Sequence, residues 1–183
     1  MAGVGAAGSV TAKDGMFMVN GQSFDLGQLM LQLSLDRTTE LDKTIADQMS
    51  DIQNRNNDLK QRNDLMSQVR AHSGDGNMDA QVTLPSVTDA NGNPVTKSLS
   101  DWFTYFGIKS VPIETESSST KASSWDANVK NIQNQVDGLN NDSQLAMTRL
   151  QSLVNKRNQS FEEASNMLQK DQKTRDTVVG NLR

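Results

Sequence analysis

Apolar residues return at helical spacing over two long stretches of the chain. In the first, Ile45, Ile52, Leu59 and Met66 recur every seven residues. Leu41, Met49 and Val69 partly fill a second row, which Gln48, Arg55 and Arg62 interrupt. Such a repeat keeps one narrow stripe on one side of a helix, so it predicts a coiled-coil seam of about four heptads. No proline or glycine lies between Asp36 and Arg70. Upstream, Phe24, Leu26, Leu29, Met30, Leu31, Leu33 and Leu35 are apolar on nearly every face, a segment that needs cover all round. Ser23 is the predicted N-cap, without a full capping box, and the helix is expected over residues 23–70.

The second stretch carries Val129, Ile132, Val136, Leu139, Met147, Leu150, Leu153, Val154, Phe161, Leu168, Val178 and Leu182, mostly three or four residues apart. No proline falls between Trp125 and Val179, so a helix is expected over 124–183. About 55 such residues extend roughly 80 Å at 1.5 Å each. A stripe that long cannot be hidden inside a compact 183-residue ball. It must pair with the first helix and with neighbouring chains. Gly138 and Asn140-Asn141-Asp142 mark a weak point, because glycine costs about 1 kcal/mol relative to alanine in a helix interior. The residues expected to carry coiled-coil pairing and self-assembly are Leu29, Leu33, Ile45, Ile52, Leu59, Met66, Ile132, Val136, Leu139, Leu150, Leu153, Phe161, Leu168, Val178 and Leu182.

Between the stretches, residues 71–123 break the pattern. Gly74, Gly76, Gly92 and all three prolines fall here. Val82-Thr83-Leu84 and Val95-Thr96 flank Asp89-Ala90-Asn91-Gly92-Asn93, and an Asn-Gly turn between apolar runs predicts a short β-hairpin. Ser98 to Gly107 reads as a short helix with a serine cap and a glycine stop. It gathers Trp102, Phe103, Tyr105 and Phe106, half of the chain's aromatics, as a small satellite core or an outward contact patch. Ser117 to Ser124 reads as a flexible linker, and residues 1–22, small and glycine-rich, as a flexible arm. That arm lacks the basic and long apolar regions of a cleaved secretory signal, so export would use another route.

Composition narrows the function. Only 34% of residues are hydrophobic and 4% aromatic, low for a compact globule but enough for long helices with one stripe each. The net charge of −4, with no basic block, argues against nucleic-acid binding. No run of 18 apolar residues is present to span a membrane. The absence of cysteine excludes disulfides, thiol catalysis and cysteine-ligated zinc. The single histidine, His72, sits in a predicted loop without a second ligand. Gly74-Asp75-Gly76 is too short for a phosphate loop. Asp89, Asn91 and Asn93 begin like a calcium loop, but Pro94 replaces the required glycine, so the segment reads as a turn. No catalytic, metal or cofactor site is expected, and the chain reads as a non-enzyme.

Both helices are acid-rich early and more basic late: Asp36, Glu40, Asp42, Asp47 and Asp51 against Lys60, Arg62 and Arg70, and Asp126, Asp137 and Asp142 against Lys156, Arg157, Lys170 and Lys173. This suits each helix dipole and equally suits an antiparallel pair. The expected fold is mainly α: long N- and C-terminal helices forming an antiparallel coiled-coil hairpin, with a small insert holding a short β-hairpin and a short helix.

The stretch from Leu139 through Leu150, Leu153 and Lys156 to Phe161 resembles the C-terminal helix of the EspA-type filament proteins of type III secretion systems and of the wider needle-tip group. Ser100-Asp101-Trp102-Phe103-Thr104-Tyr105-Phe106-Gly107-Ile108 resembles the short helix before it. By layout the resemblance covers about two-thirds of the chain. It implies a secreted, extracellular protein at the bacterial surface, polymerised helically at the needle tip into a hollow conduit for effectors and translocators. The implied partners are copies of itself, needle subunits, translocator proteins and, before export, a cytoplasmic secretion chaperone. Two alternatives stand beside it: a needle-tip protein forming a small closed oligomer, and a cytoplasmic coiled-coil adaptor or chaperone.

Overall fold

The computed structural model describes residues 11–13, 16–19, 22–73, 77–113 and 118–181. The protein is mainly helical, with two long helices that pack against each other and a small two-stranded insert. The elements follow in the order β1 (Thr11–Lys13), β2 (Met16–Val19), β3 (Gln22–Phe24), α1 (Leu26–Ala71), β4 (Gln81–Thr88), β5 (Pro94–Ser98), α2 (Leu99–Tyr105) and α3 (Ser118–Asn181). They form two compact units. Unit 1 holds the described residues up to Asp47 and from Leu150 onward, and unit 2 is Gln48–Arg149.

In unit 1 the described part of the expected flexible arm is instead a three-stranded antiparallel sheet, β1-β2-β3, with Ala12 opposite Phe17 and Met18 opposite Ser23. Ser23 is therefore a strand residue, and the cap lies two residues on. Asp25 Oδ1 accepts from the Gln28 backbone N–H at 2.7 Å, and Gln28 Oε1 accepts from the Asp25 N–H at 3.3 Å. This reciprocal pair is a capping box that satisfies two orphan donors of the first turn. A Cβ on Gly27 would stand 3.2 Å from Asp171 Oδ1, so a side chain there would crowd α3.

Unit 2 is built around the insert. Thr83 pairs with Thr96 and Leu84 with Val95, their register ending at an irregularity between Leu84 and Thr88. Val82 and Leu84 point inward, but beyond Pro85 the buried residue is Val87, so the bulge turns the other face of β4 to the core. Gly92 takes φ +83° in the turn, a conformation glycine adopts without a Cβ penalty. Ser98 Oγ accepts from the Asp101 N–H at 3.1 Å and caps α2. At its other end Ile108 N–H bonds Phe103 O and Gly107 N–H bonds Thr104 O, with Gly107 at φ +63°: a complete Schellman stop.

One cluster forms the core of unit 2. Leu65 and Val69 of α1, Val82, Leu84 and Val87 of β4, Leu99, Trp102 and Phe103 of α2, Ile108, and Trp125, Ile132 and Val136 of α3 are all buried. The satellite-core reading of the aromatics holds for Trp102 and Phe103, whereas Tyr105 is exposed. Trp102 donates its indole N–H to Val82 O at 3.1 Å, which satisfies the one polar atom it buries.

α3 starts at Ser118, inside the segment expected as a linker. Burial explains the change: Ser124, Trp125 and Asn128 face inward, and tertiary packing overrides the weak helix propensity of serine. The helix also continues through Gly138 and Asn140–Asp142. Nothing stands within 4 Å of where a Gly138 Cβ would be.

Candidate self-assembly surface

The less exposed positions of the two long helices fall three and four residues apart. In unit 1 they are Leu31, Ser34, Thr38, Leu41 and Ile45 on α1, and Leu150, Leu153, Arg157, Ser160, Ala164, Met167 and Asp171 on α3. In unit 2 a row at this spacing runs through Gln48, Ile52, Arg55, Leu59, Arg62, Met66 and Val69 on α1, and Ile132, Val136, Leu139, Ser143 and Ala146 on α3, with Leu65, Trp125 and Asn128 buried besides. The heptad row expected from Ile45, Ile52, Leu59 and Met66 thus lies on the packed face.

Two of the residues that interrupt the second row, Arg55 and Arg62, bond across the helices. In unit 2, Arg55 reaches Asp142 at 3.2 Å and Arg62 donates to Gln135 Oε1 at 3.0 Å. Arg62 also lies 5.2 Å over the Phe106 ring and 3.5 Å from Asp58. In unit 1, Arg157 pairs with Asp42 at 3.0 Å and lies over the Phe161 ring. In both units the partner on α3 falls in number as the residue on α1 rises. The Arg55 and Arg157 pairs are solvent-exposed, so each contributes about 0.2–1 kcal/mol and sets pairing more than stability.

The seam of unit 1 is thin. Its buried members include Thr38, Ser160 and Ala164, small or polar groups. Thr38 turns its hydroxyl back to Ser34 O at 2.8 Å, while the Ser160 hydroxyl finds no partner among the described residues. Among the described large apolar side chains of its two helical segments Leu29 is buried, Leu31, Leu41, Ile45, Leu150, Leu153 and Met167 are half-buried, and others remain outside. Met30, Leu33, Leu35, Val154, Phe161 and Leu168 are all exposed.

The expected contact residues therefore divide. Leu29, Ile52, Ile132 and Val136 are buried within the chain; Ile45, Leu59, Met66, Leu139, Leu150 and Leu153 are half-buried; Leu33, Phe161 and Leu168 are exposed. Leu168 nevertheless borders a small pocket between the two segments with Gln28 and Leu31. The Val178 side chain and Leu182 lie outside the described residues. No protein family, curated protein or solved structure matches this chain.

The sequence pattern had no signal for Leu65, which faces the hairpin core, nor for Asn128. Asn128 is fully buried, and its amide bonds both backbone groups of Val111. Asn131 donates to Lys109 O at 2.8 Å and Gln135 to Gly107 O at 3.4 Å, so three amides on one face of α3 hold alternate residues of the extended segment after α2.

At the calcium-like turn, Asp89 Oδ1 accepts from Asn91 N–H at 2.8 Å and Asn93 N–H at 2.9 Å. These backbone donors, Asn93 first, hold the Asp89 carboxyl below its ordinary range. Its acceptor capacity closes the turn, as the turn reading requires. Among the described residues no three His, Cys, Asp or Glu side chains gather as a metal site, and no helix is long and apolar enough to cross a membrane.

Proposed function

We propose that this chain is the structural subunit of an extracellular filament at the tip of a type III secretion needle. It polymerises helically into a hollow conduit for effectors and translocators. In this reading α1 and α3 form an antiparallel coiled-coil hairpin that builds the wall and bore, and the insert faces outward. A cytoplasmic chaperone covers the helices before export, and needle subunits lie beneath the assembled polymer.

The observation that carries the reading is the apolar surface unit 1 leaves uncovered on both of its helical segments, Met30, Leu33 and Leu35 on one and Val154, Phe161 and Leu168 on the other. Exposed large apolar side chains in this number on one small unit go beyond the singly scattered ones of an ordinary surface and mark an interaction site. The falling order of α3 partners, Asp171 by Gly27 and Arg157 by Asp42 in unit 1, supports the hairpin. The resemblance of Leu139–Phe161 and Ser100–Ile108 to EspA-type proteins supplies the needle-tip setting.

Negative-stain microscopy of the purified chain tests the polymer: long fibres are expected. Secretion of a tagged chain into culture medium, dependent on a functional needle, tests the setting. A closed tip oligomer is the second reading, favoured by the ordered insert core around Trp102 and Leu84. It predicts discrete rings in the same micrographs. A monomer at high concentration would remove both.

A further inference from the structure

The turn that joins β4 to β5 holds a reactive pair of residues. In Asn91-Gly92 the side-chain amide carbon of one residue is followed directly by the backbone nitrogen of the other. Glycine puts no side chain in the way of that nitrogen, and nothing stands within 4 Å of where a Gly92 Cβ would be. Both residues are exposed, so water and hydroxide reach them. Sequence and access together suit the spontaneous loss of an asparagine amide.

That reaction asks two things of the Gly92 nitrogen. It must give up its proton, and it must turn onto Asn91 Cγ. Asp89 opposes both. Gly92 N–H donates to Asp89 O at 3.0 Å, so the proton is engaged. Asp89 Oδ1 accepts from Asn91 N–H at 2.8 Å and from Asn93 N–H at 2.9 Å, and Asp89 N–H donates to Asn93 O at 2.9 Å. The peptide units on both sides of the reacting nitrogen are thus tied to one residue, and the Asn91–Gly92 peptide does not rotate freely while these bonds hold. Charge acts in the same direction. A nitrogen stripped of its proton is anionic, and the nearby Asp89 carboxylate disfavours a second negative charge.

We propose that Asn91 is a deamidation site that Asp89 keeps closed in the folded hairpin and that reacts when the turn opens. In the open turn hydroxide takes the Gly92 amide proton, and the nitrogen attacks Asn91 Cγ to form a carbon–nitrogen bond. The Cγ–Nδ2 bond breaks, and Nδ2 leaves as ammonia with a proton drawn from water. Water then opens the five-membered imide at either carbonyl, leaving aspartate or isoaspartate at position 91. One water is consumed and one ammonia released, with no oxidation or reduction. The product does not restore the closed turn. Either form places a new carboxylate near Asp89, and the isoaspartate form lengthens the main chain by one carbon between Asp89 and its partners Gly92 and Asn93. The hairpin therefore records, at one residue and irreversibly, the time a chain has spent with this turn open. This holds whether or not the protein polymerises.

The test incubates the full-length chain at mildly alkaline pH, folded in buffer and unfolded in guanidinium chloride, beside folded Asp89→Ala and Asp89→Asn. Digestion and mass spectrometry follow the peptide containing Asn91, reading the replacement of its amide NH2 by OH and the paired aspartate and isoaspartate products. The parent is expected to react at least about tenfold more slowly folded than unfolded, the factor that one hydrogen bond to a charged group supplies. Folded Asp89→Ala should approach the unfolded rate. Asp89→Asn, whose amide oxygen still accepts, should stay closer to the folded parent. Hydrogen exchange at Val82–Leu84 in the same samples checks that the hairpin remains paired. If Asp89→Ala loosens that pairing, Asp89→Asn carries the test, and its rate must fall between those of the folded and unfolded parent. A folded parent that reacts at the unfolded rate, a paired Asp89→Ala hairpin as slow as the parent, or an unfolded chain whose Asn91 does not react overturns the proposal.

Discussion

The Asn128 carboxamide accepts from the Val111 N–H at 2.7 Å and donates to the Val111 C=O at 2.9 Å, so one buried side chain on α3 takes both backbone groups of one residue in the segment after α2. With Asn131 and Gln135 holding Lys109 and Gly107, the segment is fastened in a single register: a slip of one residue would turn the bonded backbone groups away from the amides.

Asn128→Leu should therefore lower the stability of unit 2 by about 2–3 kcal/mol, since two backbone groups lose their partner near a buried site. Urea denaturation measures this. Asn128→Asp gives a sharper result. At neutral pH its carboxylate would face the Val111 carbonyl, while the protonated acid could donate to it. The folded pKa of that aspartate is raised, so the folded state binds more protons and stability falls as pH rises past the unfolded value of about 3.9. The variant should approach the parent below pH 4 and diverge from it toward pH 7; a constant gap would show that proton donation to Val111 is not the missing interaction.

Gly138 lies within the helix with open space where a side chain would project. Gly138→Ala should stabilise the protein by about 0.5–1 kcal/mol, by restricting the unfolded chain and favouring the helix. A raised melting temperature with unchanged helix content is the expected readout.

The Asp89 turn predicts a pH effect of known sign. Its carboxyl is held below the ordinary range, so the stabilisation is present above the unfolded pKa and is lost as pH falls through the lower folded value. NMR titration of Asp89 should follow this, and Asp89→Ala should abolish the protection of the Asn91 and Asn93 amides. Gly92→Ala forces a Cβ into φ +83° and should cost about 1 kcal/mol, with Gly92→Asn cheaper. None of these turn variants should alter assembly seen by microscopy.

Leu150→Asp contrasts with them. Leu150 is half-buried on the packed face of α3, where a charge must be desolvated. The variant should form no polymer and should also lose thermal stability, unlike a substitution at exposed Phe161.

The sequence made part of this legible. The Ile45–Met66 heptad, the Asn91-Gly92 turn and the Ser98-capped helix are local signals, and the structure has each where the pattern places it. The first strands were not legible because Met16–Val19 acquires its conformation from pairing with residues on either side, and its glycine-rich setting reads as loop. Asp25 and Gln28 have the spacing of a capping box, a signal masked by the equally acceptable Ser23 cap. Ser118–Ser124 is helical through burial of residues that follow it. Among the expected contact residues, period identified the row but could not tell a seam position from its exposed neighbour: Ser160 is buried and Phe161 exposed, one step of 100° apart.

The small side chains between the two helical segments of unit 1 bear on its thermodynamics. Thr38, Ser160 and Ala164 release little hydrocarbon to water when these segments separate, and Leu31, Leu41, Ile45, Leu150, Leu153 and Met167 are already partly exposed, so the heat-capacity increment of that opening is modest. In the filament reading, further free energy ordering them comes from the copy that settles on their outer side. By mass action, their melting point should climb with protein concentration, and a dilute solution should hold them frayed while a concentrated one anneals them.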